Sequence, residues 1–199
     1  MRCELLHEHP DFQRLSSING IEIDLRYVGE NNFFGVDLYG ELDCAWLHKE
    51  AASALDAAAA WLDQHHPGYK IRVYDALRPH RVQVMLWQHL EGTPLRTYVA
   101  DPAIGSIHSF GMAVDVTVID PAGNPLDMGS GFDELNEKSH PNLETEMLAS
   151  GKITAAQVAN REILRQAMLQ NGFYGIRSEW WHFNCNDPVL VRANYLRIE

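Results

Sequence analysis

His108 and Asp115 stand seven positions apart across Gly111, in the run Ser106, Ile107, His108, Ser109, Phe110, Gly111, Met112, Ala113, Val114, Asp115. Its second half alternates apolar and polar residues up to Ile119, as a half-buried strand does, so His108 falls on a bend and Asp115 inside the strand that follows. On an ideal pleat an odd offset sends two side chains to opposite faces, and this pair converges on one ion only where the backbone bends. Gly111 is where that bend costs least. The run lacks a third ligand and a base, and the cluster Glu179, Trp180, Trp181, His182 offers both. Two imidazoles, one carboxylate and one spare carboxylate are the inventory of a hydrolytic zinc site with an open fourth position.

Zinc held by His108, Asp115 and His182 would lower the pKa of a bound water to about 7 and make hydroxide available at neutral pH. Taken singly, each residue has a plainer reading: His108 capping a loop, Asp115 hydrogen-bonded on a sheet, His182 in an aromatic core. Glu179 is the candidate base that takes a proton from water and hands it to a leaving amine. Its plainer role is to hold an imidazole from behind. Burial against Trp180 and Trp181 would raise its pKa, which favours the shuttle. Arg78 sits between a short strand and Pro79, and its guanidinium could stabilise a developing oxyanion or simply pair with Asp75 at the surface. His65 and His66 end a helix and face solvent, while His7, His9, His48, His80, His89 and His140 have no partner at ligand spacing. Cys185 reads as a small buried hydrophobe, and Trp46, Trp61 and Trp87 as core.

These residues need a scaffold, and 199 residues, 46% hydrophobic and 22% charged, are enough for one globular domain spanning 1–199. The net charge of −11 argues against nucleic acid or an anionic membrane as partner, and says little about a small substrate. The opening residues Met1 to Glu8 lack the apolar core of a secretory signal, and no run approaches the roughly 18 apolar residues of a membrane span. Cys3, Cys44 and Cys185 share no CxxC spacing, so neither a disulfide framework nor a cysteine metal site is expected, and a reducing cytoplasm fits.

Ile21, Ile23 and Leu25 alternate with Glu22 and Asp24 as a strand, before an aromatic loop from Gly29 to Gly35. Helical spacing of Leu42, Trp46, Leu55, Ala59 and Leu62 predicts one helix from Glu41 to His66, ended by Pro67 and Gly68, with Ala57 to Ala60 as a close-packing face. A strand at Ile71 to Tyr74, a helix from His80 to Leu90 and a loop up to Gly105 lead to the opening motif. Asp127 to Asn142 is a long irregular stretch, and a loop of that length is functional or mobile. Thr154 and Gln157 form a capping-box signature for a helix ending near Gln170, and a last strand spans Phe173 to Asn184.

Ser106 to Asp115 matches SxHxxGxAxD, and Glu179 to His182 matches the ExxH that accompanies it, so the chain resembles the D-Ala-D-Ala metallopeptidase superfamily. Asp24 to Tyr27, Asn32, Phe33 and Gly35, Asp75 to Pro79, Met128 to Asp133, Lys138 to His140 and Glu179 to Phe183 follow the order of its VanX-type D-alanyl-D-alanine dipeptidases. The likeness runs from about residue 20 to 185. It implies an α+β domain with a central, mostly antiparallel sheet packed by helices, and one zinc ion per subunit at the sheet, on His108, Asp115 and His182. It further implies Glu179 as general acid and base, Arg78 on the tetrahedral intermediate, Asp133 on the substrate ammonium, and Ser106, Tyr27 and Tyr39 binding the dipeptide. The reaction implied is hydrolysis of free D-Ala-D-Ala to two D-alanines. Phe110 departs from the polar or basic residue of many relatives, and the segment before Tyr39 is shorter than in some. A D,D-carboxypeptidase or cell-wall endopeptidase of the same superfamily is the nearest rival, and a zinc-containing binding domain without catalysis is another.

Overall fold

The computed structural model describes all of residues 1–199. In chain order the elements are strands Phe12–Arg14 (β1), Ile21–Ile23 (β2) and Trp46–His48 (β3), helix Lys49–His65 (α1), strand Lys70–Asp75 (β4), helix His80–His89 (α2) and strand Ala113–Ile119 (β5). Helices Glu144–Ala149 (α3) and Ala155–Leu169 (α4), the hairpin strands Phe173–Gly175 (β6) and His182–Cys185 (β7), and helix Pro188–Asn194 (α5) complete the chain. Five strands form one sheet in the order β2-β4-β5-β7-β6, antiparallel except for the parallel β2–β4 pair, while β1 and β3 make a separate antiparallel ribbon. This is the expected α+β architecture with a mostly antiparallel central sheet. No helix is long and apolar enough to cross a membrane.

β5 is the centre of the sheet. Val114, Val116 and Val118 share one apolar cluster with Leu55 and Leu62 of α1 and Leu164 and Met168 of α4, so the helices cover one face. Alternation puts Asp115 and Thr117 on the other face. All seven residues of β5 are buried, which corrects the half-buried expectation. The polar face is roofed by protein, so its alternation marks the side that carries the polar residues and not one that meets water.

The predicted helix from Glu41 begins eight residues late. Trp46–His48 pairs with β1 as a strand, and His48 then caps α1, its Nδ1 accepting from the Glu50 N–H at 3.4 Å. The predicted last strand is two strands of a hairpin, with the site residues 179–182 at its turn into β7. β1, α3 and α5 carry no signal strong enough to have been read from the sequence. The capping box forms as expected: Thr154 Oγ1 accepts from the Gln157 N–H at 3.2 Å, and Gln157 Oε1 accepts from the Thr154 N–H at 2.8 Å.

α4 also fixes the irregular stretch 127–142. Gln157 donates to Asp127 at 2.9 Å, Arg161 donates through Nε to the Met128 carbonyl at 2.7 Å, and through Nη2 to the Lys138 carbonyl at 2.7 Å. A loop tied to a helix by a buried arginine can present a side chain with little freedom.

Gly111 has φ 64° and ψ 24°, left-handed backbone, and a Cβ there would lie 2.7 Å from the His48 nitrogen and 3.0 Å from the Phe12 ring. An alanine therefore meets both the left-handed penalty and a backbone clash. Gly111→Ala is expected to lower unfolding stability by at least about 2 kcal/mol. Urea unfolding measures it, and a loss under about 0.5 kcal/mol would contradict this account.

Candidate active site

His108 lies in the 3-10 turn Ile107–Phe110, and Gly111 swings the chain from that turn into β5. Asp115 on β5 is the direct cross-strand partner of His182 on β7. The bend and the pairing together bring three ligand atoms to one point: His108 Nε2 to His182 Nδ1 is 3.2 Å, His182 Nδ1 to Asp115 Oδ1 is 2.9 Å, and His108 Nε2 to Asp115 Oδ1 is 3.4 Å. A tetrahedral ion bound at about 2.0–2.1 Å has ligand atoms about 3.3 Å apart. The triangle has that size.

The protons support the same conclusion. His108 Nδ1 is 2.7 Å from the Ala76 carbonyl, which can only accept, so Nδ1 donates and Nε2 keeps its lone pair. His182 Nε2 donates to Asn184 Oδ1 at 2.9 Å, which leaves Nδ1 bare. Two lone pairs and a carboxylate oxygen thus face each other, an arrangement a cation stabilises. Without a cation, protons on the two imidazoles would take its place: burial alone would raise the Asp115 carboxyl, but charge on protonated His108 and His182 outweighs it and holds the group well below the usual carboxylate range.

The triad opens into a cavity of about 200 Å³, also lined by Tyr27, Arg78, Ser106, Asp133, Glu179 and Arg192. Burial pushes the Glu179 carboxyl up to about 8, with His182 opposing and the Asp115 and Asp133 carboxylates adding to the rise. The adjacent tryptophans anchor the roof: Trp180 Nε1 donates to Ser130 Oγ at 2.9 Å, and Trp181 packs edge-on against Phe132 at 5.6 Å.

Arg78 does pair with Asp75, but the pair is buried and not at the surface. Asp75 Oδ2 accepts from Arg78 Nε at 3.0 Å and Nη2 at 2.7 Å, and Gln83 Oε1 accepts from Nη1 at 3.1 Å. Nη2 also reaches Asp115 Oδ2 at 3.5 Å, so of the five guanidinium N–H groups one on Nη1 is uncommitted. Asp75 faces the site because of a bulge at Tyr74. Val73 pairs with Val116, yet the next paired residues are Asp75 and Asp115, so the extra residue turns Asp75 to the chemical face. Tyr39 stands behind this group, away from the cavity wall, its hydroxyl donating to Asp75 Oδ1 at 2.5 Å. The sequence reading named Asp75 only as a surface partner of Arg78, and it missed Gln83. The signal available in the sequence was a glutamine beside Val82 and one turn before Leu86, on the apolar face of α2.

Asp133 has φ 58°, uncommon outside glycine, which aims its side chain into the cavity. Oδ1 accepts from the Tyr27 hydroxyl at 3.3 Å, and Oδ2 is buried with no partner. Burial, reinforced by Asp115, pushes this carboxyl up to about 7. The Tyr27 ring lies 5.0 Å below the Arg78 guanidinium. Ser106 is buried in the same wall. His140 joins no group of metal-ligand spacing and shares a 2.8 Å hydrogen bond with Tyr98 of the cavity wall. The Cys185 thiol is pushed up to about 11 by burial and is no nucleophile.

Residues 11–198 match the peptidase family described as D-ala-D-ala dipeptidase. The chain is 40% identical over 163 residues to the D-alanyl-D-alanine dipeptidase of Escherichia coli (strain K12), covering 82% of this chain and 78% of that protein. It is 29% identical over 199 residues to the D-alanyl-D-alanine dipeptidase of Enterococcus faecium, covering 89% and 92%. A solved structure of the LdcB LD-carboxypeptidase superposes with a TM-score of 0.51 at 19% identity, over 94% of this chain and 74% of that one, a likeness of fold alone. With a metal-sized triad lining a cavity and a family match over nearly its whole length, the chain belongs to the D-ala-D-ala dipeptidase family of metallopeptidases.

Proposed function

We propose that the protein hydrolyses the free dipeptide D-Ala-D-Ala to two D-alanines, with one zinc ion held by His108, Asp115 and His182. Zinc in such a donor set supplies Lewis acidity and lowers the pKa of water to about 7. The reading draws on the names of the relatives and on the nitrogen and oxygen donors of the triad. Glu179 takes a proton from the attacking water and returns it to the nitrogen of the departing D-alanine. The uncommitted N–H of Arg78 meets the negative charge that grows on the carbonyl oxygen. Asp75, Gln83 and Tyr39 keep that guanidinium oriented and charged, and Tyr39 acts on substrate only through them. Asp133, braced by Tyr27, takes the substrate ammonium, and Ser106 offers a hydroxyl to the other half of the dipeptide. Three buried free thiols fit a reducing cytoplasm.

The observation that carries the dipeptide reading is Asp133 Oδ2, a buried carboxylate oxygen without a partner in the cavity wall. Such an atom costs stability unless a ligand donates to it, and a free ammonium is the donor that only an unblocked dipeptide brings. Turnover of D-Ala-D-Ala, its N-acetyl derivative and L-Ala-L-Ala is the test. The free D,D-dipeptide should be preferred over the acylated one by about tenfold to a hundredfold, and Asp133→Asn should raise KM by a similar factor. Equal or faster cleavage of the acylated compound would point to a carboxypeptidase instead.

A further inference from the structure

The strongest unexplained charge in the molecule is Arg192. Ten of the twelve arginines pair with an aspartate or glutamate, as a chain with 27 acidic and 16 basic residues makes easy. The two exceptions are the exposed Arg177 and the half-buried Arg192, and only Arg192 lines the active-site cavity. It sits in the last turn of α5, where an arginine could simply answer the helix dipole. Its guanidinium is instead turned across the fold: Nε donates to the Gly105 carbonyl at 3.0 Å, 87 residues away in the chain. That bond orients the fork and leaves both terminal nitrogens without a protein acceptor.

The surroundings fit an anion. Gly105 directly precedes Ser106, so the anchored guanidinium and the Ser106 residue border the same part of the wall. Asn184, which accepts from His182, and Pro188 and Arg192 of α5 line the same cavity. Arg78 cannot do the same work, because Asp75, Gln83 and Asp115 already take four of its five N–H groups. Asp133 and Arg192 are thus opposite charges that line one cavity, each with free hydrogen-bonding capacity, and they do not pair with each other. A ligand with a cationic end and an anionic end satisfies both.

We propose that Arg192, with Ser106 beside it, binds the terminal carboxylate of the substrate and so selects peptides that end where the dipeptide ends. This deepens the dipeptidase reading and rests on it. Arg192 would be a binding residue for the ground state and transition state alike, so its loss falls on KM and leaves kcat nearly unchanged.

The test compares D-Ala-D-Ala with its C-terminal amide on the metal-loaded protein. The wild type should favour the free acid in kcat/KM by about tenfold to a hundredfold. Arg192→Ala should lose that factor on the acid, with less than about twofold change on the amide, so that the two compounds become equivalent; Arg192→Lys should recover part of the preference. An unchanged acid-to-amide ratio in Arg192→Ala overturns the proposal. So does a loss that vanishes in 0.5 M salt, which would reduce Arg192 to long-range steering, with about 0.5 M chosen to screen beyond a few ångströms. Calorimetric binding of both compounds to Glu179→Gln protein, with and without Arg192→Ala, reads the preference without turnover. If the wild type fails to cleave the dipeptide yet this binding preference follows Arg192, the dipeptidase reading falls and the carboxylate site stands.

Discussion

Stripping the divalent ion with a chelator should lower turnover of D-Ala-D-Ala by more than about 10³-fold, restored by added zinc, because both the Lewis acid and an attacking group available at neutral pH depart together. A pH signature accompanies it. In the metal-free protein the Glu179 and Asp133 carboxyls stand at about 8 and about 7. Their unfolded values lie near 4, so folding binds protons here; the stability from these groups is full below about pH 4 and is lost as pH rises through 7 and 8. A cation at the adjacent triad favours both charged forms and removes that loss. The metal-induced rise in Tm should therefore be larger at pH 8 than at pH 6. At a hundredfold excess over Kd, about 2.7 kcal/mol of linkage corresponds to a rise of roughly 5–10 °C in a chain of this size. Scanning fluorimetry with and without zinc at the two pH values measures it. An equal gain at both, or none, would mean that the triad and the two carboxyls are not coupled through a bound ion.

Glu179→Gln should retain the metal and lose about 10²–10⁴-fold in kcat. The substitution keeps size and polarity while removing the ability to accept and return a proton. Glu179 lines the cavity but is not one of the three atoms that converge on the ion position, so metal content should stay at one per chain. Metal analysis alongside single-substrate kinetics separates the outcomes. Loss of metal together with activity would make Glu179 a ligand, and a kcat within a few fold of wild type would remove it from proton transfer. The burial that raises its pKa would let this carboxyl hand a proton to an amine near neutral pH, a transfer an ordinary glutamate drives poorly.

Much of the scaffold was legible because its signals are local. The β-branched run of β5, the capping box of α4 and the glycine between His108 and Asp115 each act within a few residues, and each is found where its chemistry requires. The start of α1 was not legible. Leu42 and Trp46 share a helical spacing by accident, and pairing of Trp46–His48 with β1, more than thirty residues earlier, overrides it. The hairpin of β6 and β7 likewise read as one strand, since residues 176–181 between them hold no glycine or proline to mark a turn.

By itself the sequence singled out the residues to which we assign the chemistry: two imidazoles, an aspartate and a spare glutamate. Tertiary structure decided what surrounds them. A bulge at Tyr74 turns Asp75 toward Arg78, a buried arginine of α4 holds the loop that offers Asp133, and a short C-terminal helix brings Arg192 to the cavity. The physical reason is range: bond geometry and backbone preference act between neighbours in the chain, whereas burial and the pairing of charges depend on which distant segments the core brings together.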